Sequence, residues 1–250
     1  MAFLIQWIGQ GGFIVTLGDK RVAIDPYLTN SLAKGGKWER LVPPPLEPSA
    51  LDVDMIVCTH DHADHVDPET IGQTDMSRIV YAGPDSCLAH FAKIGIVAKQ
   101  TQVLNRGDTI EFGNAKLSGV LANHTSDSIG VVVSSDGTTV YFTGDSTYSA
   151  ELANAKTHSP DILVACINGR LGNMNFTEAA TLARELGVKA AIPCHYGLFA
   201  NNTEDPLNFK AALKGTGVRY FEMEYGGKYS VEDVLNPSSG RARTAEDQSR

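Results

Sequence analysis

Three histidines and two aspartates fall within six residues of the stretch Thr59-His60-Asp61-His62-Ala63-Asp64-His65. Neutral imidazole and carboxylate are the nitrogen and oxygen donors that divalent cations prefer. Without a cation, so many polar groups in one turn would crowd each other for no packing gain, so the stretch reads as a metal site. The apolar residues Met55-Ile56-Val57-Cys58 precede it and read as a buried strand, which puts the turn at a strand end. His124, Asp145 and His195 also follow apolar runs and are bounded by small or turn residues. Taken singly, each would pass for a hydrogen-bonded loop residue. A two-metal site, however, needs about six or seven protein donors, and these three added to His60, His62, Asp64 and His65 supply them.

Two cations sharing a water would lower its pKa towards neutrality, give a hydroxide nucleophile and polarise the carbonyl or phosphoryl oxygen under attack. Asp64 is read as a ligand that also accepts the proton after attack. Asp61, the other nearby carboxylate, is read as orienting a ligand imidazole rather than acting as base. The motif contains no Ser, Cys or Lys, so no covalent intermediate is expected. The donor set suits zinc, manganese or iron, and no thiolate selects among them. Cys194, beside His195, is expected to point the opposite way along its strand, into the core.

Groups for a substrate are sought near these donors. Asn168-Gly169-Arg170-Leu171-Gly172-Asn173-Met174-Asn175 follows a strand and combines glycines, a guanidinium and amides. Arg170 could grip a phosphate bidentately, with Asn168, Asn173 and Asn175 alongside; the same composition also makes a Gly/Asn-rich turn with a solvated Arg. Tyr196 is either a donor to a developing oxyanion or a core or rim tyrosine. Trp38, Arg40, Asn201 and Asn202 are candidates for the pocket wall. His90 and His158 have no metal-type neighbours and read as ordinary histidines.

The elements that must position these residues are short. Residues 3–8, 13–17 and 21–24 are β-rich runs separated by glycine turns, so the chain opens as a β-meander. Asp25-Pro26-Tyr27 closes the third run, where Asp25 either ends a turn or orients ligands. Residues 26–50 contain Gly35-Gly36 and Pro43-Pro44-Pro45, predict no regular structure and read as a flap over the site. A helix is expected to begin over 68–72, a strand at 78–82 and a helix at 85–93. Residues 101–133 alternate as a second meander, and 139–142 is a strand. Strands at 161–165 and 189–193 then alternate with helices at 178–186 and 207–214, and 218–221 and 228–231 close the fold. Two halves, each a meander followed by β/α units, predict a four-layer αββα sandwich over residues 1–235. Residues 236–250 are polar, lack periodicity and are expected to be disordered.

Composition narrows the partners. A net charge of −8 argues against broad binding to a nucleic-acid backbone but leaves room for a small phosphorylated molecule. No apolar run approaches the ~20 residues of a membrane span, and the N-terminus lacks a basic leader, so a cytoplasmic protein is expected. Four scattered cysteines in apolar contexts read as buried free thiols.

The succession Asp25, His60-x-His62-x-Asp64-His65, His124, Asp145, His195 resembles the five motifs of the metallo-β-lactamase superfamily, over residues 1–231. That resemblance implies that His60, His62 and His124 hold one cation and Asp64, His65 and His195 a second. Asp145 would bridge them, and Asp25 would orient ligands through hydrogen bonds. Ile24-Asp25-Pro26-Tyr27-Leu28, Leu41-Val42-Pro43-Pro44-Pro45, the segment 59–69, the segment 167–175 and His195-Tyr196-Gly197-Leu198-Phe199-Ala200-Asn201-Asn202 are similar to the ascorbate-6-phosphate lactonase-like branch. The likeness implies hydrolysis of a phosphorylated sugar-acid lactone with two manganese or zinc ions, and self-assembly, although no exposed apolar stripe reads as an interface. A phosphodiesterase acting on cyclic nucleotides or other diesters would use the same nucleophile. A non-hydrolytic di-iron redox protein is disfavoured, because redox relatives carry Glu where His62 stands.

Overall fold

The computed structural model describes residues 2–236. The tail expected to be disordered lies, from residue 237 onward, outside the described residues.

Glycine turns fold the first strands back on themselves, so that β1 (Phe3–Gly9), β2 (Gly12–Leu17) and β3 (Lys20–Ile24) are antiparallel neighbours. β4 (Met55–Val57), β5 (Val80–Gly83) and β6 (Thr101–Val103) then extend the sheet in parallel. The second half repeats this plan. β7 (Thr109–Phe112), β8 (Ala115–Leu121), β9 (Ile129–Ser135) and β10 (Thr138–Phe142) form an antiparallel meander. β11 (Ile162–Cys166), β12 (Ala190–Cys194) and β13 (Arg219–Tyr220) follow in parallel. β14 (Lys228–Ser230) returns to pair with β1, giving two seven-stranded sheets, β14-β1-β2-β3-β4-β5-β6 and β13-β12-β11-β10-β9-β8-β7.

The pleat sorts the apolar side chains into layers. Ile5, Trp7, Phe13, Val15, Val22 and Val57 face the second sheet and join one large core, whereas Ile14, Ala23 and Ile56, on the opposite face, pack with Ile71, Cys87 and Phe91. Those last three belong to α1 (Pro68–Gly72) and α2 (Asp85–Ile94), which therefore cover the outside of the first sheet. On the other side α3 (Phe176–Leu186) packs on β11, with α4 (Pro206–Ala212) beside it. The result is the αββα sandwich the alternation predicts. All four cysteines are buried and unpaired. Among the described residues no helix is long and apolar enough to cross a membrane.

Three local expectations are corrected. Residues 101–103 are not the start of the second meander but β6, the parallel edge of the first sheet; three residues cannot reveal a partner that arrives through the α2 crossover. A final helix, α5 (Val231–Leu235), follows β14, held by a capping box between Ser230 and Asp233 and too short to show a helical period. Residues 26–50 contain 3₁₀ turns at Ser31–Gly35 and Pro48–Ala50 and are fastened in place. Tyr27, Leu198 and Phe199 form a small buried cluster with Leu32, Trp38 and Val42 against it. Arg40, expected at the pocket wall, instead donates to the Tyr27 carbonyl at 2.8 Å, the Val42 carbonyl at 3.2 Å and Tyr225 Oη at 2.7 Å. Its guanidinium holds the loop, and Trp38 packs edge-on against Phe199.

Candidate metal centre

Strand direction brings the chemistry to one edge. β1 and β3 run parallel to β4, and β8 runs parallel to β10 and β12, so the residues after these strands emerge together. Asp25 follows β3, the histidine-rich turn follows β4, His124 follows β8, Asp145 follows β10 and His195 follows β12. Backbone bonds stitch these ends together: Asp25 N donates to the Val57 carbonyl at 2.9 Å, and Ile129 N to the Thr59 carbonyl at 3.0 Å.

The seven expected donors meet there. His60, His62 and His124 form one group of ligand atoms, Asp64, His65 and His195 another, and His60, His65 and Asp145 a third between them, with all atoms of each group within 4.8 Å of one another. His62 Nδ1 lies 3.0 Å from His60 Nε2 and 3.1 Å from His124 Nε2. Asp145 touches both sides, with Oδ1 3.1 Å from His195 Nε2 and 3.5 Å from His65 Nε2, and Oδ2 3.8 Å from His124 Nε2. Asp25 stands behind the cluster: its carboxylate accepts from Thr59 N, Thr59 Oγ1 and His65 Nδ1, each at 2.7 Å. With Nδ1 so engaged, His65 turns Nε2 toward Asp145 and Asp64.

Two observations test whether a cation fits. His65 Nε2 and Asp145 Oδ1 are buried, have no hydrogen-bond partner and face each other. Leaving such groups unpaired is costly, and a shared cation satisfies both. The carboxylates of Asp25, Asp64 and Asp145 also converge with no Lys or Arg paired to them among the described residues. Burial and the neighbouring His65 push His60 well below the usual imidazole pKa, and burial with His124 lowers His62, so both are neutral donors. Burial also works to lower His65 and His195, but the carboxylates around them, Asp25 foremost for His65 and Asp145 for His195, outweigh it and raise both. Burial would raise Asp145, yet His195 and His65 hold its carboxyl well below the usual range. The carboxylates thus favour protons on His65 and His195 that a bound cation would displace.

The remaining expected residues are distributed differently. Asp61 turns away from the cluster to His90 Nε2, 3.9 Å off on α2, and hydrogen-bonds no ligand imidazole, which corrects its expected orienting role. Tyr196 lies against Trp7 with ring centroids 4.9 Å apart and lines a separate pocket with Val42, Met223 and Tyr225, so it is not a donor beside the cluster. Cys194 is buried in the large core and lines a small cavity with Phe13, Phe142, Val164, Asp25 and Asp145.

The 168–175 loop is tied to the centre through its backbone: the Gly172 carbonyl lies 3.1 Å from His124 Nδ1 and accepts from Thr147 Oγ1 at 2.9 Å. Only glycine suits this position, since φ is +85° and a Cβ would come within 2.9 Å of His124 Nδ1. Arg170 is exposed and has no acidic partner among the described residues. Asn168 donates to Asn202 Oδ1 at 2.6 Å, both being buried, while Asn173 is buried with neither amide atom paired. Asn201 is exposed. Asn175 is the N-cap of α3, its Oδ1 accepting from Thr177 N and Glu178 N, which removes it from the substrate groups. Asn175→Ala should therefore lower stability by about 1 kcal/mol, seen in thermal unfolding, and leave KM unchanged.

Three contributors escape a reading of residue types. Thr59 Oγ1, 3.1 Å from His60 Nδ1, and the Gly172 carbonyl hold candidate donors through hydrogen bonds, which leave no mark in sequence. Gln10 reaches Asp64 Oδ2 at 3.2 Å, and its only signal was a lone long side chain in a glycine turn.

Paired mixed sheets clad in helices and opening on a histidine–aspartate cluster define the metal-dependent hydrolases of the metallo-β-lactamase superfamily. The family model described as beta-lactamase superfamily domain matches residues 20–196, and the chain belongs to that family. A metal-dependent hydrolase of Archaeoglobus fulgidus is 28% identical over 230 residues, spanning 86% of this chain and 92% of the relative. Another from Xanthobacter autotrophicus is 28% identical over 247 residues, spanning 91% and 97%. Among solved structures, Igni18, a metallo hydrolase of Ignicoccus hospitalis, superposes with a TM-score of 0.73 at 23% identity over 92% of this chain and 98% of that one. A possible metal-dependent hydrolase of Veillonella parvula gives 0.77 at 17% identity, over 92% and 100%. At these identities the structures speak for the fold.

Proposed function

We propose that the protein is a dinuclear hydrolase that opens a small phosphorylated sugar-acid lactone, of the ascorbate-6-phosphate kind. The observation that carries the metal chemistry is the pair of facing, buried and unpartnered atoms His65 Nε2 and Asp145 Oδ1, 3.5 Å apart between two further donor groups. Two divalent cations, manganese or zinc, would supply a water acidic enough to attack near neutral pH and a Lewis acid for the oxygen under attack. His60, His62 and His124 would hold one, Asp64, His65 and His195 the other, with Asp145 between. Asp25 keeps His65 in the tautomer that presents Nε2. Asp64, partly exposed, can accept the proton released on attack.

The choice of a phosphorylated lactone rests on the likeness to the lactonase-like branch and on Arg170, a guanidinium without an acidic partner on the loop that contacts His124. The unpaired amide of Asn173 on the same loop would serve a substrate hydroxyl, while Asn168, buried and bonded to Asn202, would hold the loop. Metal-reconstituted protein screened against lactones, sugar phosphates and cyclic nucleotides tests this. Lactone opening is expected, and turnover confined to phosphate diesters would make the protein a phosphodiesterase instead. Arg170→Ala should raise KM roughly tenfold or more for phosphorylated substrates, the scale of a charged hydrogen bond, and leave neutral lactones unaffected. Equal losses for both would dismiss the phosphate clamp.

A further inference from the structure

The turn between β1 and β2 reads Gly9-Gln10-Gly11-Gly12, and its one non-glycine residue holds a φ of +52°. A left-handed backbone disfavours a residue with a Cβ, yet here glutamine stands amid glycines and is completely buried. Its carbonyl accepts from Trp7 Nε1 at 3.1 Å and from His195 N at 3.0 Å, which fastens the turn to the end of β12. The side chain then reaches into the second donor group. Nε2 lies 3.2 Å from Asp64 Oδ2, 3.1 Å from His195 Nε2 and 3.3 Å from His195 Nδ1.

This arrangement is incomplete in the protein alone. An N–H almost equidistant from both nitrogens of one imidazole cannot point along the lone pair of either. Meanwhile Oε1 is buried with no partner at all. A half-turn of the carboxamide exchanges Nε2 and Oε1 without moving the head of the side chain. Donor atoms sharing one cation stand about 3–4 Å apart, and the head already stands at that separation from Asp64 Oδ2 and His195 Nε2. A carboxamide oxygen is a hard, neutral donor of the kind manganese accepts readily.

We propose that Gln10 is a further ligand of the second cation, giving Oε1 to the ion held by Asp64, His65 and His195. The assignment rests on the two-cation reading above. It is tested by titrating metal-free protein with Mn²⁺, by calorimetry, in wild type, Gln10→Leu and Gln10→Glu. Wild type should take up two ions. Gln10→Leu should keep the first and bind the second roughly 10–100-fold more weakly, whereas Gln10→Glu, which exchanges a neutral oxygen for a charged one, should bind it at least as tightly as wild type. Wild-type affinity in Gln10→Leu would overturn the assignment. A loss in Gln10→Glu as large as in Gln10→Leu would also overturn it, and would make the side chain an N–H donor to Asp64. Should the leucine variant fail to fold, weaker binding of the second ion by Gln10→Glu than by wild type overturns the assignment on its own. A wild type that binds one ion at most would overturn the two-cation reading itself, a result distinct from two ions bound with Gln10 playing no part.

Discussion

Asp145→Ala should reduce hydrolysis roughly 10³-fold or more, because an ion displaced from such a site takes with it several kcal/mol of transition-state stabilisation. Its carboxylate approaches imidazoles of both donor groups, His195 and His65 on one side and His124 on the other. Removing it leaves His65 Nε2 facing the space its carboxylate filled and takes a negative charge from the point where two cations would repel each other most. Metal content, measured by elemental analysis, should fall with activity. His62→Ala should act in the same direction through the first group, since His62 Nδ1 lies between His60 and His124. Full activity in either variant, at wild-type metal content, would contradict the ligand assignment.

Asp25→Ala should be the most destabilising single change at the site. The residue is almost completely buried, accepts three hydrogen bonds at 2.7 Å and neutralises an imidazole that is itself buried. Its loss takes a charged acceptor from Thr59 N, Thr59 Oγ1 and His65 Nδ1, an effect of about 3–5 kcal/mol. For a chain of this size that corresponds to a fall in Tm of about 10 °C. Metal affinity should drop about 10–100-fold, as for other residues that orient a ligand. Asn restores an acceptor and tolerates the left-handed backbone, so Asp25→Asn should recover part of the stability. Unchanged unfolding of the alanine variant would show that the hydrogen-bonded cluster is not structurally coupled.

Much of this architecture was legible beforehand because it rests on local patterns. The apolar runs before Asp25, His60, Asp145 and His195 announced strands, and donor types that crowd without a metal announced the centre. The αββα layering followed from a meander and β/α plan repeated in each half. What escaped depends on contacts across the fold. The edge strand Thr101–Val103 is too short to declare a parallel partner, and Arg40 looked like a binding residue until its carbonyl partners were seen. Asn175 belonged to an amide-rich loop by composition but caps a helix by geometry. Asp61 sits between two histidines of the cluster in sequence and turns to His90 in space, since neighbours in a turn diverge. Strain was equally silent: Gln10, Asp25, Leu171 and His195 all hold positive φ, and all lie in segments that build the centre.

The most direct test is to strip the purified protein with a chelator, reload it with Mn²⁺ or Zn²⁺ and count ions per chain against hydrolysis of a lactone panel. Two ions per chain, activity abolished by stripping and regained on reloading, is the predicted result. Hydrolysis that survives complete removal of metal, or a stripped protein that takes up no ion, would contradict the account.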